Sequence, residues 1–526
     1  MQTLNRTKNT GRNIVWGFAA KAVSLLAPFV TRTFLIYRLG AEYLGISSLY
    51  TSVLTVLSLA ELGFATAVVY GMYKPIAEGD VHQVAAYLNY LKVMYRYVGG
   101  VIVALGLAML PLLGFLVRGE WPADVDMQIA FLIYLGNTAI GYFLFAYKQS
   151  LLNAYQRNDV VSRMNMVVQV IQCALQVAVL VLAPNFYAYA LALPVCTVAG
   201  NILLAKATDR LLPEYSDRSL AKQRLETGRR VGMRRQVAGL VFTRICMVTR
   251  DSLDAVFISA FIGLSAVACY SNYFVIMNGL LGILLVFATS MTAAVGNSVA
   301  VETREKNFND LRLFMFIYAA ISIVIAACLL ACFQPFMLIW VGEGLMLPFG
   351  VVVLLVAYFY VRTMGDMQWV YVDAAGLWWE QRWRTLAEVV ANVVLNFALV
   401  QVWGIYGVVA GTLTSLFFID FIYGSHVAFK FYFGLEKARA YYLDHAWYLA
   451  AAIAVCAATY LVAGIVPDGG FFWLAVKAAV SLLCSSALLV VVFCRTARFK
   501  RAVAFARRML FPGPKKGSGS SDAHAD

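Results

Sequence analysis

Residues 236–261 (QVAGLVFTRICMVTRDSLDAVFISAF) form an apolar stretch that carries four charges, Arg244, Arg250, Asp251 and Asp254. About 20 apolar residues suffice to span a bilayer, and a charge near the middle of such a span costs at least about 2.5 kcal/mol. Intramembrane charges therefore face a protein or water-filled interior and mark a pathway. Arg250 and Asp254, four residues apart, can equally neutralise each other as a structural pair. Arg244 has no acid three or four residues away and needs a different explanation.

Other charges fall in apolar stretches too. Lys21 and Arg32 lie eleven residues apart in the first of them, about 20° past three helical turns, so they share one face. Arg32 could also reach outward to the membrane surface. Glu61 sits in SLAELGFATA. Arg362, Asp366 and Asp373 follow at i, i+4 and i+11, again one face of a continuous helix, with an internal Arg362–Asp366 salt bridge as the plainer reading. Glu388, Asp420 and Lys477 read as singletons. Glu61, Asp251, Asp254, Arg362, Asp366 and Asp373 are candidates for gating or for coupling to a proton or sodium ion; no resident cofactor is called for.

The elements that position these charges follow from composition. A chain of 526 residues that is 62% hydrophobic and 13% charged lies far outside the range of soluble domains. The pattern gives an all-α polytopic membrane protein with about fourteen transmembrane helices, among them 43–71, 127–150 and 236–261. The net charge of +14 is a matter of topology. Most Lys and Arg fall at the N-terminus, in alternate connections and in the C-terminal tail, while the opposite connections hold Arg38 and Arg118. By the positive-inside rule both termini are cytoplasmic, and the basic side meets an anionic inner leaflet rather than nucleic acid. The outer connections are short, which leaves no room for an external catalytic domain. The nine cysteines lie in spans or at cytoplasmic ends with no CxxC pair, and no HExxH, phosphate-binding loop or GxSxG motif occurs. We expect no enzyme, no catalytic residues and no metal site.

An offset of 223 residues relates two halves. Gly40 answers to Gly263, Tyr50 to Tyr273, and Phe64-Ala65-Thr66 to Phe287-Ala288-Thr289. The expected organisation is a six-helix lobe over 1–206, a basic linker with an amphipathic surface helix over 207–235, and a second six-helix lobe over 236–431. Two further helices occupy 432–494, and a tail over 495–526 is basic and then disordered. Parallel repeats of this kind place a substrate site between similar bundles. The offset also maps Arg244 onto Lys21, so each half sets a cation at the same depth of its first helix. Lys21, Arg32, Arg244 and Arg250 are the candidate substrate-binding residues.

The opening residues, with an Arg-Leu-Gly then Tyr-Leu-Gly turn (Arg38 to Gly45) and an acid-Leu-Gly-Phe sequence (Glu61 to Phe64), resemble the polysaccharide transport family. These bacterial oligosaccharidyl-lipid flippases share a superfamily with the multidrug and toxic compound extrusion exporters and the peptidoglycan-precursor flippase. The resemblance covers helices 1 to 12 and is most specific in the first seventy residues. It implies two six-helix lobes facing a cavity lined by the first two helices of each. It further implies an inner-membrane transporter that flips polyprenyl-diphosphate-linked oligosaccharides outward by alternating access. The product would feed O-antigen, capsule or exopolysaccharide synthesis, with a polysaccharide polymerase or export machinery as the partner. Alternatives are a cation-coupled multidrug exporter, in which Glu61, Asp366 or Asp373 would outweigh Lys21, and a membrane polysaccharide polymerase, which the short outer loops disfavour.

Overall fold

The computed structural model describes residues 6–58, 64–118, 121–145, 147–217, 219–220, 223–225, 252–377 and 379–510. Arg244, Arg250, Asp251 and Glu61, most of the basic linker and the tail beyond residue 510 lie outside the described residues.

The protein is an all-helical polytopic membrane protein. The first half runs α1 (Arg6–Arg38), α2 (Ala41–Leu57), α3 (Phe64–Glu78), α4 (Val81–Met109), α5 (Met127–Phe143), α6 (Tyr147–Ala154), α7 (Asn158–Leu182) and α8 (Phe186–Leu211). The second continues with α9 (Ser252–Phe261), α10 (Leu264–Ser290), α11 (Thr292–Val301), α12 (Arg304–Val341), α13 (Phe349–Met364), α14 (Asp366–Ala374), α15 (Arg382–Trp403) and α16 (Ile405–Ser415). A π-helical segment, Leu416–Tyr423, then leads through α17 (Gly424–Ala428) to α18 (Ala438–Ala463), α19 (Gly470–Phe493) and α20 (Ala497–Leu510). Among the described residues, 11 helices are long and apolar enough to cross a membrane, or up to 12 if the bent pair α5 and α6 is one span. The remaining two expected spans, 43–71 and 236–261, run over residues outside the described set.

Short polar side chains set several helix starts. Asp126 accepts hydrogen bonds from the backbone N–H groups of Gln128 and Ile129, both at 2.9 Å, at the head of α5. Asp80 caps α4 through Gln83 and Asn185 caps α8 through Ala188. Each satisfies donors that a helix N-terminus would otherwise leave without acceptors.

By contact density the chain divides into two compact units. The first comprises Met1–Gly282, Phe336–Tyr358 and Leu377–Gly424; the second comprises Ile283–Pro335, Phe359–Gly376 and Ser425–Asp526. In the first, α1 packs along α7, α5 against α8, and α15 against α16. Its core gathers Leu35, Leu49, Tyr50, Leu91 and Phe131, all fully buried. In the second, α18 packs on α19 and α11 on α14, around aromatic contacts among Phe308, Phe429, Phe433 and Tyr441.

The repeat is visible in the backbone of the first unit. Gly40 and Gly263 both take positive φ, 125° and 134°, where a side chain would be strained. Each makes the turn into the second helix of its half. Tyr50 and Tyr273 are both fully buried, with hydroxyls bonded to the backbone of Met127 at 2.8 Å and Leu347 at 3.3 Å. Positions separated by the repeat offset also touch one another: Ser48 Oγ meets Ser271 Oγ at 3.1 Å, and Ser265 donates to Glu42 at 2.9 Å, each pair 223 residues apart. These contacts set α2 against α10. There the approach is close, since a Cβ on Gly45 would stand 2.2 Å from the Leu264 carbonyl oxygen.

Candidate functional site

Lys21 and Arg32 fall on one face of α1, as their spacing predicts, and both side chains meet α10. The guanidinium of Arg32 donates to Ser271 Oγ at 3.0 Å and to Asn272 Oδ1 at 2.9 Å. It turns into the helix seam, and the outward-reaching alternative is not adopted. Lower on the same face, Leu25 lies against Gly279, and the ammonium of Lys21 sits 2.9 Å from where a Cβ on Gly282 would stand. The two helices run antiparallel, so one stripe of α1 reads one stripe of α10. Glycines at positions 279 and 282 let the Leu25 and Lys21 side chains lie flat against α10.

The two cations differ in their surroundings. Lys21 is exposed, and among the described residues its ammonium meets no carboxylate. Arg32 is half-buried and bonded to neutral oxygens, which hold its orientation and leave its charge uncompensated among the described residues. A guanidinium carries five donors, and the two bonds to α10 leave others for an incoming anion. Around Arg32 the C-terminal part of α1 is fixed to the C-terminal end of α12. Trp340 Nε1 donates to Thr33 Oγ1 at 2.7 Å, and Phe29 packs on the Trp340 ring at 4.7 Å between centroids.

Asp254 on α9 is 2% exposed. It accepts hydrogen bonds from Tyr270 at 2.9 Å, Asn396 at 2.8 Å and Thr412 at 2.7 Å, donors supplied by α10, α15 and α16. Its proposed partner Arg250 lies outside the described residues, as do Arg244 and Asp251. Sequence reading did not find these three donors, because neutral Tyr, Asn and Thr in apolar helices carry no charge signal.

In the second unit Arg362 donates to Asp366 at 3.1 Å, and Tyr318 donates to the other carboxylate oxygen at 2.6 Å. The internal pair is therefore formed. Asp373 lies further along, on α14 beyond the one-residue break at Gly365, and is exposed.

The three expected singletons all have partners. Lys477 pairs with Asp468. Glu388 and Asp420 share Arg384, which contacts Glu388 at 2.9 Å and also Asp420. The Arg384 side chain is 0% exposed and was missed because it follows the polar, aromatic connection WWEQR. The i, i+4 spacing to Glu388 was the available signal. Among the described residues no group of His, Cys, Asp or Glu is arranged to hold a metal ion.

No protein-family model matches the chain, and no curated protein matches it. Solved structures do match it. The lipid II flippase MurJ in an inward closed conformation is 13% identical with a TM-score of 0.60, covering 94% of this chain and 99% of that chain. An inward-facing multidrug resistance MATE family transporter of the MOP superfamily is 16% identical at a TM-score of 0.59, covering 77% and 94%. A mutant form of the Vibrio cholerae MATE transporter VcmN is 14% identical at 0.56, covering 81% and 97%. The chain thus has the fold that these MATE transporters share with a lipid II flippase.

Proposed function

We propose that the chain flips polyprenyl-diphosphate-linked oligosaccharide units from the cytoplasmic to the outer leaflet of a bacterial inner membrane, for cell-surface polysaccharide synthesis. The observation that carries this reading is the cationic face of α1. A diphosphate must cross a region in which an isolated charge is prohibitive. Lys21 and Arg32 line the α1–α10 seam with charge that no described carboxylate neutralises, and they offer charge-assisted hydrogen bonds to phosphate oxygens. Arg32 supplies a forked donor and Lys21 a mobile point charge.

Arg244, the repeat counterpart of Lys21, completes the anchor, with Arg250 as an additional contact. The lipid tail stays in the bilayer while the glycan occupies a wet cavity. Two lobes, 1–206 and 236–431, rock about this anchor to give alternating access, and both termini stay cytoplasmic. A fold shared with a lipid II flippase supports a lipid-linked substrate. Polymerase or export machinery on the far side consumes the product.

A multidrug exporter driven by protons or sodium is the second reading. Asp254 favours it, because a buried carboxylate surrounded by Tyr270, Asn396 and Thr412 is the kind of group that takes up a cation, and one of the structural neighbours is a multidrug resistance transporter. Purified protein in liposomes separates the two. Wild type is expected to move a fluorescent polyprenyl-diphosphate sugar into protection from an external reagent, and not to extrude a cationic dye along an ion gradient. Dye extrusion without lipid movement, lost in Asp254→Asn, would overturn the flippase reading.

A further inference from the structure

We propose that α20 is an in-plane membrane anchor whose basic flank binds the anionic headgroups of the leaflet on the basic side of the bundle. The tail from residue 495 reads in sequence as merely basic and then disordered, yet Ala497–Leu510 is a helix. It is set off from α19 by a three-residue break, Cys494–Thr496. Thr496 accepts from the N–H of Phe499 at 3.3 Å and starts the new helix.

At 100° per residue, three sectors of α20 separate. Arg498, Ala502 and Phe505 fall within about 60° of one another and face the second unit. Arg498 pairs with Asp444 and donates to Tyr448 at 3.1 Å. Ala502 is buried, and the Phe505 ring lies 5.8 Å from that of Phe314. Phe499 and Val503 lie on one flank, and Val503 is 50% exposed. Lys500, Arg501 and Arg507 lie on the other flank, all exposed. A helix with one edge on protein, one apolar flank and one basic flank fits a bilayer surface, apolar flank into the acyl boundary and cations among headgroups.

Its depth agrees independently. Asp444 also receives Arg312 of α12, at 2.7 Å. Arg312 is the last charged residue of α12 before Val341, and Asp444 the last acid or base of α18 apart from His445. α20 is thus clamped at the level where charge ends on both spans, which is the boundary of the hydrocarbon layer. The occupant that fits is an anionic lipid surface, because it attracts basic residues held close to it.

The test is hydrogen exchange of the α20 amides, read by mass spectrometry on the full-length protein in nanodiscs. One lipid composition is zwitterionic and the other contains a large anionic fraction. Wild type is expected to exchange about tenfold more slowly in the anionic discs, and raised salt should shrink that difference. The combined variant Lys500→Glu, Arg501→Glu, Arg507→Glu alters only exposed side chains and should exchange alike in both. Equal wild-type exchange in the two compositions overturns the proposal, as does a charge-reversed variant that keeps the difference.

Discussion

Lys21→Ala is expected to lower the rate of lipid-linked oligosaccharide flipping in liposomes by about tenfold to a hundredfold, with the protein still folded and inserted. A hydrogen bond to a charged group contributes about 1.5–3 kcal/mol, and each 1.4 kcal/mol is about tenfold. Folding should survive because Lys21 is exposed and no described carboxylate depends on it. Lys21→Arg should retain most of the rate, since the guanidinium keeps the charge on the same face of α1. Equal rates for wild type and Lys21→Ala would remove Lys21 from the substrate path.

Arg384→Ala should have the largest effect on stability. Arg384 is fully buried between Glu388 and Asp420, so its removal leaves two carboxylates without their shared cation. Breaking a buried ion pair from one side costs about 3–5 kcal/mol. The expected result is a sharply lower midpoint of thermal unfolding and poor accumulation in membranes. Replacing the whole cluster, Arg384→Met with Glu388→Gln and Asp420→Asn, should recover most of that loss, because well-packed neutral groups often substitute for a buried pair at little cost. An Arg384→Ala protein that unfolds with wild type would show that the cluster does not hold α15 to the π-helical segment. Lys21 and Arg384 thus separate a cation kept for a substrate from a cation kept for the fold.

What the sequence revealed depended on distance along the chain. The eleven-residue spacing of Lys21 and Arg32 and the four-residue spacing of Arg362 and Asp366 are fixed by helix geometry, and the structure places both pairs accordingly. The turn glycines Gly40 and Gly263 carry the repeat in a backbone requirement. Asp420 looked isolated because its partner is 36 residues away, on a helix that only tertiary packing brings near. Asp254 depends on three helices for its donors, and neutral residues give no warning of that role. The tail was read by composition, which registers its basic charge but not the three-sided helix that places that charge.

The most direct test of the cationic anchor is equilibrium binding of a short-chain polyprenyl diphosphate to the purified protein, beside the matching polyprenol, for wild type, Lys21→Ala and Arg32→Ala. Wild type should bind the diphosphate more tightly than the polyprenol, and each substitution should narrow the gap by weakening binding of the diphosphate alone. Equal binding of the two lipids by wild type, or a gap that both substitutions leave intact, would contradict it.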